Sequence, residues 1–244
     1  MGGNIALDRQ GIRTRPSGVP LMEQNWEDIL FLHWPIEERV LQPRLPAGLD
    51  IDNYDDIAWI GITPFHLSGL RLHGLPELPG LHAFNEINVR TYVHHEGTPG
   101  VLFLSLDASK LIPALAARIF FGLPYHDAEI EFDEVEEGFG FEMRRAADPS
   151  TTFRAEWRPG GRLPAPDVES LGFFLVERYC LFTESAGRLS MTRIHHHPWL
   201  LREATVSSCH STLLAPLGLA EPDGAPLAHF SEGVQAQVWA PEEV

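Results

Sequence analysis

Lysine is almost missing from this sequence. Of the 18 basic residues among 244, Lys110 is the one lysine and the rest are arginines. Chemistry that needs a side-chain amine, such as imine formation with a carbonyl substrate, therefore has a single candidate. The arginine bias itself reads most simply as GC-rich coding. Positive charge is scarce overall: 34 acidic residues against 18 basic ones leave a net charge of −16. Such a surface repels phosphate backbones and anionic headgroups, so no nucleic-acid and no membrane partner is expected. Cysteine is scarce too. Cys180 and Cys209 are too few for a disulfide scaffold and read as reduced thiols of a cytoplasmic protein. No apolar run approaches the roughly 20 residues that span a bilayer. The first 20 residues are polar, carry Arg9, Arg13 and Arg15, and hold no apolar signal core.

Diagnostic motifs are absent as well. There is no His-Glu-x-x-His, no Cys-x-x-Cys, no Gly-x-Ser-x-Gly elbow and no dinucleotide or phosphate-loop glycine pattern. No cofactor and no metal is expected. His195, His196 and His197 invite a metal reading, since the first and third would share a strand face. The simpler reading has one of them packed inside on a backbone partner and the others in solvent.

What is present is a succession of short β patterns. Residues 1–20 read as a flexible tail and residues 21–244 as one domain. Strands are expected near 28–34, 57–65, 84–95 and 101–108, then a hairpin over 125–134 and 138–147 turning about residues 136–138. Further strands are expected near 152–158, 187–196 and 234–240, while 204–219 is ambiguous. Helical spacing occurs over 110–121, stopped by Gly122 and Pro124, and over 168–179, with Asp167 as its cap. Few helices among strands that return by short turns imply an α+β, mainly β, antiparallel barrel-like domain.

Phe84–His95 alternates with period two. Glu86, Asn88, Arg90 and Tyr92 fall on one face and Ile87, Val89, Thr91 and Val93 on the other. The polar face is either a solvated outer surface or the lining of a cavity. Asp107, on the returning strand, is a candidate cross-strand partner for Arg90. The acidic run 129–137 reads as a solvated hairpin face.

The stretches Phe31-Leu-His-Trp-Pro35, Glu86 to Val93, Ser105 to Ala108, Ala117-Arg118, Leu123-Pro-Tyr125, Glu177-Arg-Tyr179 and His195 to Trp199 resemble the YqjF-like family, domain of unknown function 2071. That likeness runs from about Trp26 to Ala204. Over about forty-five residues, from Phe84-Asn-Glu86 to Ala128, the chain is also similar to acetoacetate decarboxylases. The resemblance implies a closed β-barrel with a cavity and a few flanking helices. It places Glu86 at the active-site glutamate and Arg118 at the helix arginine. It places Tyr125 at the Schiff-base lysine and His126 at the lysine beside it. A phenol cannot form an imine, so acetoacetate decarboxylase activity is not expected. The site reading is Glu86 and Tyr125 as catalytic candidates, with Arg90, Arg118 and Asn88 as ligand-binding candidates. Three functions follow: a binder of a small organic acid or carbonyl compound, a lyase or hydrolase that uses Glu86 without an imine, or a structural subunit with no ligand. A homo-oligomer is plausible by analogy with the decarboxylases.

Overall fold

The computed structural model describes residues 7–77, 80, 82–110 and 121–244. Its strands are β1 (Met22–Ile36), β2 (Asp50–Ile51), β3 (Ala58–Leu72), β4 (Phe84–His95), β5 (Thr98–Ala108), β6 (Tyr125–Val135), β7 (Gly138–Arg145), β8 (Thr152–Arg162), β9 (Cys180–Ser185), β10 (Arg188–His196), β11 (Leu201–Ser211), β12 (Leu227–Val238) and β13 (Glu242–Glu243). Two short α-helices lie wholly within the described residues, Glu38–Leu41 and Leu171–Val176. The expected helix over 110–121, with Arg118, lies outside the described residues except at its two ends.

The strands share one sheet in the order β13-β10-β9-β5-β6-β7-β8-β11-β12-β1-β3-β4-β2, and β4 also pairs with β5 and β10 with β12. Most neighbours are antiparallel, but β5 runs parallel to both β6 and β9. The β4–β5 hairpin turns on Glu96 and Gly97, at φ 46° and 88°. The β9–β10 hairpin turns on Ala186 and Gly187, at φ 54° and 77°. Two consecutive left-handed residues give the twist that tight hairpins need.

Strand β4 is buried on both faces, because cores lie on either side of it. Ile87 and Val89 belong to a cluster with Phe141, Met143, Phe153 and Trp157 of β7 and β8. Tyr92 belongs to the other, with Phe31, Phe174, Leu106 and Trp199. Of the two readings of Glu86, Asn88, Arg90 and Tyr92, the solvated surface is excluded: all four are buried. An alternating pattern looks the same whether its polar face meets water or a polar interior.

Three further expectations change. Residues 7–20 do not trail as a tail. Arg9 pairs with buried Asp52, and the Ile12 carbonyl accepts from Arg193. The helix expected over 168–179 shortens to Leu171–Val176, and Ser170 caps it by accepting from the Phe173 amide. Asp167 instead closes the preceding turn, accepting from the Glu169 amide. Finally, the ambiguous 204–219 region holds most of β11, whose alternating exposed and half-buried residues mark it as a strand with one wet face.

Candidate functional site

Pairing registers assemble the site. Thr63 of β3, Asn88 of β4, Leu106 of β5 and Tyr125 of β6 stand opposite one another in one row across four strands. Glu86 lies in the next row, paired with Phe65 and Ala108. Arg90 lies two residues beyond Asn88, paired with Gly61, which in turn pairs with His33 of β1. Directly paired residues share a face, so one buried surface carries His33, Thr63, Glu86, Asn88, Arg90 and Tyr125.

The Tyr125 hydroxyl donates to Glu86 Oε2 at 2.6 Å. Glu86 is 3% exposed. Burial is the main reason its carboxyl is pushed from 4.5 up to about 7; hydrogen bonds from Tyr125 and Asn88 oppose the shift, and the Asp107 charge adds to it. Tyr125 is raised well above the usual phenol value, by burial first and then by the Glu86 charge. Near neutral pH the pair thus holds a carboxyl close to half-ionised beside a firmly protonated phenol.

Arg90 is buried among aromatic rings. Its guanidinium lies 5.4 Å from the Phe31 ring centroid and 5.9 Å from that of Tyr92. Nη2 donates to the Leu175 carbonyl at 3.2 Å, and the Tyr92 hydroxyl donates to the same oxygen at 2.9 Å. Its Nε has no partner among the described residues. The expected pair with Asp107 is not made. The β4–β5 register shifts between Val89 and Arg90, so Asp107 stands opposite Ile87, on the other face. There Asp107 meets Arg145 through two 2.7 Å hydrogen bonds, and Ser105 donates to it at 3.1 Å. Sequence reasoning missed Arg145 because it lies two strands away and looks like an ordinary hairpin charge.

A second charged cluster flanks Tyr92. Asp52 accepts from Arg178 at 2.6 Å and from Arg9 at 2.6 and 2.8 Å. Both arginines hold its carboxyl below the usual range against the opposing effect of burial, which is the largest influence. Arg178 stacks 4.3 Å over Phe174 and 4.7 Å over Tyr92. Three guanidinium groups therefore gather round Tyr92 and Phe174; Asp52 pairs with those of Arg9 and Arg178, and among the described residues no carboxylate pairs with Arg90.

His196 is buried, with Nδ1 2.7 Å from the His197 carbonyl oxygen, and its ring stacks on Tyr179 at 4.6 Å. Burial lowers its pKa to about 4. His195 and His197 border a cleft of about 490 Å³, their ring centroids 6.4 Å apart. Among the described residues no group of three His, Cys, Asp or Glu side chains converges as a metal set would. Lys110 lies apart from the row: its Nζ donates to the Gly80 carbonyl at 2.6 Å.

A family model described as an uncharacterized conserved protein, DUF2071, matches residues 23–235. The chain belongs to the DUF2071 family. Protein YqjF of Bacillus subtilis (strain 168) is 38% identical over 224 residues, spanning 92% of this chain and 93% of its own. Solved structures share the fold at low identity. Acetoacetate decarboxylase from Legionella pneumophila superposes with a TM-score of 0.61 at 14% identity, covering 100% of this chain and 98% of its own. An acetoacetate decarboxylase-like enzyme from Sphingomonas wittichii RW1 gives 0.62 at 15%, over 93% and 94%. The enduracididine biosynthesis enzyme MppR, complexed with the condensation product of pyruvate and imidazole 4-carboxaldehyde, gives 0.62 at 12%, over 93% and 90%. These likenesses establish an acetoacetate decarboxylase-like, mainly β fold for this DUF2071 protein.

Proposed function

We propose that this DUF2071 protein binds a small organic acid or carbonyl compound on the buried face of Glu86, Asn88, Arg90 and Tyr125. Arg90 carries the proposal. It is 9% exposed, and no carboxylate lies within 4.0 Å of it among the described residues. An uncompensated buried cation costs several kcal/mol. A ligand carboxylate would relieve that cost through charge-assisted, bidentate hydrogen bonds. Tyr125 and a protonated Glu86 would offer donors to a carbonyl oxygen. MppR, a fold neighbour, holds pyruvate in one of its structures, which accords with a small acid as ligand. The return pairings β4–β5 and β10–β12 support a closed barrel around this face. The two free cysteines support a cytoplasmic location.

The test is isothermal titration with acetate, propionate, lactate, 3-hydroxybutyrate, acetoacetate and acetone, on the wild type and on Arg90→Met. Binding of at least one carboxylate, weakened tenfold or more in the variant, supports the reading. No heat from any probe at millimolar concentration, or equal affinity in Arg90→Met, overturns it.

A second reading makes the site catalytic. Its support is the Glu86 carboxyl near pH 7 in contact with Tyr125, the poise of a general acid–base pair. The step would be a lyase or hydrolase reaction that needs no imine. Turnover whose pH profile breaks near 7, and which is abolished in Glu86→Gln, supports it. Unchanged turnover in that variant overturns it.

A further inference from the structure

Beyond the four residues just used, the same face carries a buried imidazole, that of His33. His33 is 1% exposed, and neither ring nitrogen has a partner among the described residues. The Leu227 carbonyl on the paired strand is near enough to favour ring protonation slightly, yet it is out of hydrogen-bonding geometry. Burial and the Arg90 charge both hold the ring neutral. A neutral imidazole offers one N–H donor and one lone pair.

The neighbours of His33 are those of the proposed ligand. Gly61 stands between His33 and Arg90. A Cβ built there would lie 3.2 Å from His33 Cδ2, 3.3 Å from Arg90 Cγ and 3.4 Å from the Tyr92 hydroxyl oxygen. One row along, Thr63 Oγ1 and Asn88 Oδ1 are also buried and unpartnered. Three buried polar side chains with unused bonding atoms thus lie together beside a guanidinium that has no carboxylate partner among the described residues. The kinds of atom decide what is missing. Arg90 asks for an acceptor, which a carboxylate supplies. The His33 lone pair and Asn88 Oδ1 ask for a donor, which a carboxylate lacks.

We infer that His33 is a ligand-contacting, specificity-determining residue of the Arg90 site, and that the ligand is a small hydroxy-substituted carboxylic acid rather than a simple alkanoate. The carboxylate sits on Arg90, and the hydroxyl donates to and accepts from the His33–Thr63–Asn88 group. This rests on the reading of Arg90 as a carboxylate anchor. A site built to hydrogen-bond a hydroxyl rejects the analogue that lacks it, because its own polar groups are then left buried and unpaired.

Matched pairs test the inference on the full chain: lactate against propionate, and 3-hydroxybutyrate against butyrate, by isothermal titration. In the wild type the hydroxy acid of at least one pair is expected to bind tenfold or more tightly than its partner. His33→Phe keeps the ring shape and removes both nitrogens. It should bring the pair within about twofold by weakening the hydroxy acid alone. His33→Gln restores a donor and an acceptor and should keep part of the preference, so it serves if His33→Phe does not fold. Equal affinity within both pairs in the wild type overturns the inference while the carboxylate anchor stands. A preference that survives intact in both His33 variants also overturns it. Failure of every carboxylate to bind the wild type sinks the anchor as well.

Discussion

The Tyr125 hydroxyl and the Glu86 carboxylate meet at 2.6 Å between strands β6 and β4, which are not neighbours in the sheet. The bond spans the intervening strand β5, where Glu86 is paired with Ala108, a small side chain. It ties a carboxyl whose charge is disfavoured to a phenol that keeps its proton.

Stability should therefore fall as pH rises through the Glu86 titration. Native Glu86 titrates near 7 against 4.5 when unperturbed, so between these values the native state holds a proton that the unfolded state releases. The stability present below pH 4.5 is lost by about pH 7 and amounts to about 3 kcal/mol. Glu86→Gln removes this dependence. Its urea midpoint relative to wild type should be higher at pH 8 and similar at pH 4. A difference that is the same at both pH values contradicts the assignment.

His196 acts in the opposite direction. Its native pKa is lowered from 6.5 to about 4, so over that window the unfolded state binds the extra proton. Stability is then lost as pH falls from 6.5 towards 4, by at most about 3 kcal/mol. His196→Phe retains the stack on Tyr179 and should flatten this acid limb. Denaturant titrations at pH 4.5 and 7 read the slope directly.

Asp107→Asn should cost about 3–5 kcal/mol, because it leaves the buried Arg145 cation without its bidentate partner. Replacing both, as Asp107→Asn with Arg145→Met, should recover part of the loss, and a double-mutant cycle measures how much. Equal losses in the single and double variants would show that the pair itself, not an orphaned charge, supplies the stability.

Gly61→Ala separates folding from binding. Gly61 has no left-handed backbone, so alanine strains nothing locally, but its methyl presses on His33, Arg90 and Tyr92 at 3.2–3.4 Å. A modest stability change of about 1 kcal/mol should accompany a loss of carboxylate affinity of tenfold or more. Calorimetry of the variant with and without propionate gives both numbers.

Much of the fold was legible because hairpin chemistry is local. Strand β4 spans Phe84–His95, the bounds its alternation predicts, and Glu96-Gly97 turns the chain as a two-residue hairpin. Strand β9 goes unassigned in the sequence because Cys180–Ser185 is short and begins directly after the 168–179 stretch that reads as helical. The contact between Glu86 and Tyr125 could be anticipated only through the family resemblance, since parallel pairing of β5 with β6 leaves no periodic mark on either strand. The Asp107–Arg145 pair depends on a one-residue register irregularity that no composition encodes. His33 carries a signal of its own: it lies two residues from Phe31, on the same face, in the otherwise apolar stretch 29–36 of β1. A lone polar group in such a strand must find a partner inside.

The earliest strand has the latest partner. Met22 of β1 is paired with Val238 of β12, and β12 also joins β10 and β11. On the ribosome this leaves β1 with one edge unfilled until residues 227–238 have emerged. Hairpins such as β4–β5 and β6–β7 can form as they are made, but the β1–β12 ladder waits for a strand about 200 residues away. Loss of the whole of β12 would strand the apolar stretch Ile29–Leu32 of β1 at an open edge, so nascent-chain quality control has a late pairing to watch.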